Sequence, residues 1–284
     1  MDLKKLENKI NIIQNKFRIG KFDEVINDTK LLLKKFDDQQ ILYNILSLAY
    51  QKKGENDKSI DLLTKALKKS QKNIFFLNNL GLSYYNKKNF DEAEYYFQRA
   101  LEINPKHIKA LNNLANLKKD LDLVDEAKNL YNKALELNDN LLEPHYNLAS
   151  LYQSSGDFEK SIYHYKKVLK INPKFTKADR NVSMLTKYSN TTEHFLEMKN
   201  KLTKEELNNF EKMELHFALG KAYDDIKDYK NSFSNIDFAN SLKKEITKYN
   251  IKNDIKLFDN IKKKFSEKTQ DKFSINKKKI IFIL

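Results

Sequence analysis

The sequence repeats one pattern of residues every 34 positions through most of its first two thirds. Within IFFLNNLGLSYYNKKNFDEAEYYFQRALEINPKH, which spans Ile74–His107, the pattern consists of Leu77, Leu80, Gly81, Tyr84, Ala93, Phe97, Ala100 and Pro105. Similar residues return as Leu111, Leu114, Ala115, Ala127, Tyr131 and Ala134, and again as His145, Leu148, Ala149, Tyr152, Tyr165 and Pro173. A fixed period of this length is typical of one small structural unit stacked many times.

The spacing within one period predicts two helices that pack together. Leu77, Leu80 and Tyr84 share one face of a first helix, and Ala93, Phe97 and Ala100 share one face of a second. The small residue Gly81 allows the two helices to approach closely. Pro105 ends the second helix and turns the chain into the next unit.

Glycine and proline are scarce, and the repeat accounts for all of them. The sequence has five glycines and three prolines. Gly20, Gly54 and Gly156 fall between the two helices of a unit, where we expect positive φ. None is left for a glycine-rich loop that binds phosphate.

These residues resemble the tetratricopeptide repeat (TPR), a pair of helices with an aromatic, Leu-Gly, Tyr, Ala, Phe and Pro at these offsets. The resemblance implies an all-α, right-handed TPR superhelix (an α-solenoid), with a basic helical C-terminal segment and a short strand-like end. Residues 1–175 would hold five contiguous units, at 6–39, 40–73, 74–107, 108–141 and 142–175. An irregular helical insert would follow at 176–212, a further unit at 213–246, a basic helical linker or cap at 247–275, and the strand-like end at 276–284.

Asparagines recur at the position that would face the groove of such a stack. Asn79, Asn113, Asn147 and Asn181 are 34 residues apart, and Asn44, Asn78 and Asn112 form a second, partial row. A side-chain amide both donates and accepts hydrogen bonds, so it can pair with the backbone of an extended peptide. The rows resemble the peptide-holding asparagines in the TPR region of O-GlcNAc transferase. Asparagine is also abundant in this sequence, which leaves a role in packing open. Tyr85, Asn116, Lys119 and Tyr146 are predicted near the same surface.

The sequence offers no arrangement for catalysis, and we predict no enzymatic activity, cofactor or metal for it. The five histidines are not spaced as metal ligands, and His145 and His216 occupy the aromatic position of the repeat, which favours packing. The acidic pairs at 91–92 and 125–126 open second helices, where they complement the helix dipole. There is no cysteine, which excludes disulfides and thiolate sites and favours a cytoplasmic location.

The charge is uneven along the chain. The formal net charge is +14, and much of it lies after residue 240. Nucleic acid is a possible partner for such a tail, but the lysines lack the arginine clusters and stacking aromatics that would support it. No stretch is long and apolar enough to span a membrane, and we predict no membrane partner.

The last third resembles a second family. The segment His216–Lys244, HFALGKAYDDIKDYKNSFSNIDFANSLKK, is similar to the junction in bacterial TPR-containing sulfotransferases. In that family a basic helical linker and a short apolar strand follow, and then a glycine-rich loop that binds PAPS. The final residues KKKIIFIL match the strand, and the loop does not occur in this sequence. The resemblance implies the N-terminal region of such an enzyme without its catalytic domain.

Two functions follow from these resemblances. The first is an interaction scaffold that binds an extended peptide or protein segment in the concave groove of the repeats. The second is the substrate-recruiting region of a PAPS-dependent sulfotransferase whose catalytic domain is absent from this chain.

Overall fold

The computed structural model describes residues 3–248 and 250–270, and every regular element within them is an α-helix. The helices form two compact units, Met1–Pro173 (the first unit) and Lys174–Leu284 (the second unit). The predicted all-α repeat fold is confirmed. The strand-like end at 276–284 lies outside the described residues.

The first unit consists of five helix pairs. They are α1 (Leu3–Arg18) with α2 (Phe22–Leu33), α3 (Gln40–Lys52) with α4 (Asn56–Lys69), α5 (Ile74–Asn86) with α6 (Phe90–Ile103), α7 (Ile108–Asp120) with α8 (Val124–Leu137), and α9 (Leu142–Ser154) with α10 (Phe158–Ile171). From α4 to α10, every helix begins 34 residues after its counterpart in the preceding pair. The sequence period is therefore also the period of the structure.

Helices α2, α4, α6 and α8 each pack between the first helix of their own pair and that of the next. Leu63 on α4 clusters with Leu80 on α5, Phe97 on α6 with Leu114 on α7, and Tyr131 on α8 with Leu148 on α9. Gly81 permits the closest approach, since a Cβ there would lie 2.6 Å from the ring of Phe97. The helix starts have local support as well, because the side chains of Asn73, His107 and Asp157 accept hydrogen bonds from backbone N–H groups in the first turn.

The turn within each pair takes one conformation in all five repeats. Gly20, Gly54 and Gly156 have positive φ, as predicted, and Lys88 and Asp122 adopt the same left-handed conformation at the equivalent positions. A side chain with a Cβ pays about 1 kcal/mol or more for this conformation. The packing of the two helices, and not the presence of glycine, therefore determines the turn.

The second unit contains helices of unequal length: α11 (Thr176–Leu185), α12 (Glu193–Lys204), α13 (Asn209–Asp225), α14 (Tyr229–Thr247) and α15 (Ile251–Gln270). Its main core cluster joins α12 and α13 through Phe195, Met198, Leu215 and Leu219. A capping box at Asn208 and Glu211 starts α13.

A network of ionisable side chains is buried in the second unit. Lys201 Nζ donates to Asp179 Oδ2 over 2.6 Å, and His194 Nε2 lies 3.1 Å from Asp179 Oδ1. Because a carboxylate only accepts, His194 donates through Nε2, and its Nδ1 lies 2.7 Å from the hydroxyl of Tyr188. Burial raises the pKa of that tyrosine. The network ties α11, the segment that follows it and α12 together.

None of the described helices has the length and apolarity needed to cross a bilayer. The sequence predicts that α15 caps the stack with its apolar stripe, and this role stays a prediction. In the structure the stripe residues Ile251, Ile255, Phe258, Ile261 and Phe265 are exposed.

Candidate functional site

A groove with a cavity of about 500 Å³ runs along helices α3, α5 and α7 and the start of α9. We call it the amide groove. Its lining residues are Asn44, Leu48, Phe75, Asn78, Asn79, Leu82, Ile108, Lys109, Asn112, Asn113, Leu141, Leu142, Glu143 and Pro144. Five side-chain amides thus share one surface with apolar side chains and one charge of each sign.

The amides in this groove form a relay of hydrogen bonds across three helices. Asn113 Nδ2 donates to Asn78 Oδ1 over 3.0 Å, Asn78 Nδ2 to Asn79 Oδ1 over 3.3 Å, and Asn79 Nδ2 to Asn44 Oδ1 over 3.2 Å. The relay joins the two rows that the sequence suggests, and Asn78 and Asn79 are themselves buried. In the relay, each of these two amides donates one N–H and accepts through one lone pair. Each amide also has a second N–H and a second lone pair.

Asn112 differs from its neighbours in the groove. Its Oδ1 is buried, and within the described residues it accepts no hydrogen bond. A buried acceptor without a donor costs free energy, on the order of 1–3 kcal/mol. A ligand N–H group that reached this oxygen after the amide rotated toward the groove would recover that free energy.

A second group of polar side chains lies beside the groove on α7 and α9. Asn147 Nδ2 donates to Asn116 Oδ1 over 2.9 Å, and Asn116 Nδ2 donates to Glu143 Oε1 over 3.0 Å. The hydroxyl of Tyr131 also donates to Asn116 Oδ1. Asn116 therefore positions both Asn147 and the carboxylate that lines the groove.

The remaining residues predicted for the site are spread over three helices of the first unit and one of the second. Tyr85 on α5 donates its hydroxyl to Asp120 Oδ2 over 2.5 Å, and burial together with this carboxylate raises its pKa. Lys119 is half-buried on α7, and Tyr146 on α9 packs its ring against that of Tyr165 at 5.6 Å. Asn181 lies on α11, in the second unit.

Sequence reasoning missed the apolar and charged lining of the groove. Phe75 and Leu82 lie one turn before and one turn after the asparagines on α5, and Lys109 lies one turn before Asn113 on α7. Residues three or four positions apart share a helix face. That spacing from the asparagines would have identified these lining residues.

The chemistry of the groove favours binding. Its lining combines amides, apolar side chains and one Lys with one Glu, so the lining carries no net charge. Among the described residues, no group of histidines and carboxylates could hold a metal ion. The amides and the apolar side chains suit an uncharged extended chain.

Known proteins share the repeat and the fold. Profiles of the tetratricopeptide repeat match residues 41–73, 74–107 and 106–174. The search of curated proteins found no match to the sequence.

Three solved structures illustrate the fold. TTC0263, a thermophilic TPR protein of Thermus thermophilus, is 18% identical, with a TM-score of 0.56 over 63% of this chain and 97% of its own. Pseudomonas aeruginosa PilF is 16% identical, with a TM-score of 0.57 over 80% of this chain and 96% of its own. A tetratricopeptide repeat protein from Parabacteroides merdae is 18% identical, with a TM-score of 0.51 over 83% of this chain and 92% of its own.

The first unit thus has the architecture of a helical repeat protein with a polar groove. More specifically, residues 41–174 match the sequence pattern of the tetratricopeptide repeat. Proteins built from these repeats generally mediate protein–protein interactions.

Proposed function

We propose that the amide groove binds an extended, uncharged peptide segment of a partner protein and that the chain acts as an interaction scaffold. An extended backbone offers alternating N–H and C=O groups, which side-chain amides can pair with regardless of sequence. The apolar walls formed by Phe75, Leu82 and Ile108 would accept the side chains of such a segment. The proposal assigns no catalytic role to the chain.

The observation that carries the proposal is the buried Oδ1 of Asn112, which has no donor among the described residues. It lies among the amides of the groove, and the other four are already linked to each other by hydrogen bonds. We expect the amide of Asn112 to rotate toward a bound peptide and accept its N–H, while Asn113 in the groove and Asn147 beside it contribute their remaining donors and acceptors.

Replacing Asn112 by alanine provides the sharpest test, because no hydrogen bond within the described residues depends on its Oδ1. Phage-displayed random peptides are selected on the full chain, and the recovered peptides are measured by fluorescence anisotropy. We expect Asn112→Ala to weaken their binding by up to about tenfold, the effect of one buried hydrogen bond. Asn113→Ala and Asn147→Ala should also weaken binding.

Asn132 provides the matched control, since it is an exposed asparagine on α8 that does not line the groove. Asn132→Ala should leave the affinity unchanged, and circular dichroism should show equal helicity for all variants. If the recovered peptides bound Asn112→Ala, Asn113→Ala and Asn147→Ala as tightly as the original chain, the groove would not be their site.

The sulfotransferase hypothesis stays a prediction from the sequence. It depends on the resemblance of His216–Lys244 and on the final residues, which lie outside the described part of the chain. Reading the DNA downstream of the codon for Leu284 tests it, because a frame that encodes a glycine-rich loop would support this origin. A cytoplasmic location also stays a prediction.

A further inference from the structure

One position on the second helix of a pair is fully buried when the next helix packs over it. Seven residues after the start of α2, α4, α6 and α8 come Thr29, Leu63, Phe97 and Tyr131, and all four are 0% exposed. The first helix of the next pair covers the last three of these, as in the contact of Phe97 with Leu114 and Leu117. Complete burial at this position is therefore the sign of a covered pair.

The equivalent position on α14 is not covered. It is occupied by Ile236, which is 38% exposed, and Phe233 one turn earlier is 72% exposed. The alignment is supported by Gly220, which approaches Ile236 as Gly81 approaches Phe97. The pair α13–α14 therefore presents an apolar face to which another helix would normally be packed.

Helix α15 does not cover its own α14 in this structure. Phe233 and Ile236 on α14 are exposed, and so are the apolar residues of α15. The apolar face of α14 is therefore available to another helix.

The apolar residues of α15 form an exposed stripe instead. Ile251, Ile255, Phe258 and Ile261 follow each other at intervals of three or four residues along the helix, and each is more than 40% exposed. Residues at this spacing lie on one face. The second unit thus carries two complementary features, an uncovered face on α14 and an exposed stripe on α15.

We propose that the chain pairs with a second copy of itself, the stripe of α15 in one copy packing across Phe233 and Ile236 of the other. In a twofold pair the contact occurs twice, because each copy contributes both surfaces. Six side chains per copy, at roughly 100 Å² of apolar surface each, would bury on the order of 1,200 Å² in total, the lower bound for a stable interface. The proposal is independent of the amide groove, which lies in the first unit.

Cross-linking tests which surfaces meet, and the chain is suited to it because it has no cysteine. The single variants Phe233→Cys and Phe258→Cys are mixed and oxidised gently. We expect about tenfold more mixed disulfide dimer than in a control mixture of Phe158→Cys with Phe258→Cys, because only the first two sulfurs would come within disulfide reach. Phe158 is an exposed phenylalanine of α10, in the first unit.

The double variant Phe233→Cys/Phe258→Cys shows whether α14 is covered by α15 of the same chain or by α15 of a second copy. A disulfide-linked dimer or oligomer supports the proposal. A disulfide within a monomer would show that α15 covers its own α14 and would overturn it.

Light scattering of the full chain over a wide concentration range gives the second measurement. We expect twice the mass of one chain at high concentration, and a single-chain mass for Phe233→Ser and Phe258→Ser. Phe158→Ser should pair like the original chain. A monomer at every concentration, or pairing that survives both serine variants, would overturn the proposal; circular dichroism confirms that the variants are folded.

Discussion

The two units solve the same packing problem with different interiors. In the first unit the pairs from α3 to α10 are equal in length and spacing, and a small residue recurs where the helices of a pair meet. In the second unit the helices differ in length, and both of the buried carboxylates found among the described residues, Asp179 and Glu214, belong to it. Regular spacing accompanies largely neutral packing, and irregular spacing accompanies buried charge.

This difference indicates how each interior determines the arrangement of its helices. Identical units fit each other through the same apolar contacts, so each repeat positions the next. Helices α11 and α12 have no such template. A buried network with fixed partners, such as Asp179 with Lys201 and His194, restricts them to one arrangement, because any other would leave charges unpaired.

The largest effect is expected from removing the central carboxylate of the second unit. Asp179→Ala would leave Lys201 and His194 without their buried partner and should destabilise α11 and α12 by about 3–5 kcal/mol. Hydrogen exchange measured on 176–204 under increasing denaturant reports this change.

Asp57→Ala in the first unit is the control. Asp57 forms its ion pair with Lys87 at the surface, where such pairs contribute about 0–1 kcal/mol. Equal losses for the two variants would mean that the buried network is no more important than a surface pair.

A second comparison places the same change in both units. Gly81→Ala should destabilise the first unit by about 1–3 kcal/mol, since the fully buried ring of Phe97 has no space to move. Gly220→Ala should cost less than this, because the obstructing Cγ1 belongs to the partly exposed Ile236, which has room to shift, and alanine favours the helix. Denaturant unfolding of both variants checks the difference, and an equal cost would contradict the uncovered face of α14.

The smallest expected effect depends on pH and concerns the last repeat of the first unit. His145 Nδ1 and His164 Nδ1 lie 2.8 Å apart in the interior, and His145 Nε2 contacts the backbone oxygen of Asp139 at 3.0 Å. Burial, together with His145, lowers the pKa of His164 from 6.5 to about 4. Asp139 and Lys167 are the nearby charges, and they act in opposite directions.

Because the unfolded chain would bind a proton at His164 below about pH 6.5 and the folded chain only near pH 4, stability should fall as the pH decreases through this interval. Burial also lowers the pKa values of His107 and His216, which adds to the same trend. His164→Leu, with the residue found at the equivalent Leu130, should reduce the slope of melting temperature against pH. An unchanged slope would exclude His164 as a cause.

The fold could be predicted from the repeat, but the contacts between side chains could not. Residues similar to Leu77, Leu80 and Phe97 recur every 34 positions, and this spacing alone indicates paired helices. The period places Lys88 and Asp122 at the same position as the glycines, but their residue types gave no sign that they would adopt the left-handed conformation. The sequence shows which residue types recur, but the helix packing determines the backbone conformation there.

The candidate site illustrates the same limit. The sequence indicated two rows of asparagines, because their spacing along the chain is regular. It did not indicate that Asn113 would reach Asn78, or Asn79 reach Asn44, because these contacts depend on side-chain conformations and on the offset between adjacent helices. The network around Asp179 joins residues with no common period, so no repeat pattern could have revealed it.

Helices α5 and α7 begin with the same capping contact, and this has a practical consequence for protein engineering. Asn73 and His107 both accept a hydrogen bond from the third backbone N–H of the helix that follows, so the chain passes through equivalent junctions there. A duplicate of 74–107 could be inserted after His107: its end would meet α7 as the original does, and its start would follow α6 at a junction equivalent to the one between α4 and α5. Each inserted copy would then lengthen the amide groove by one repeat, so the length of peptide that it accommodates could be chosen in steps.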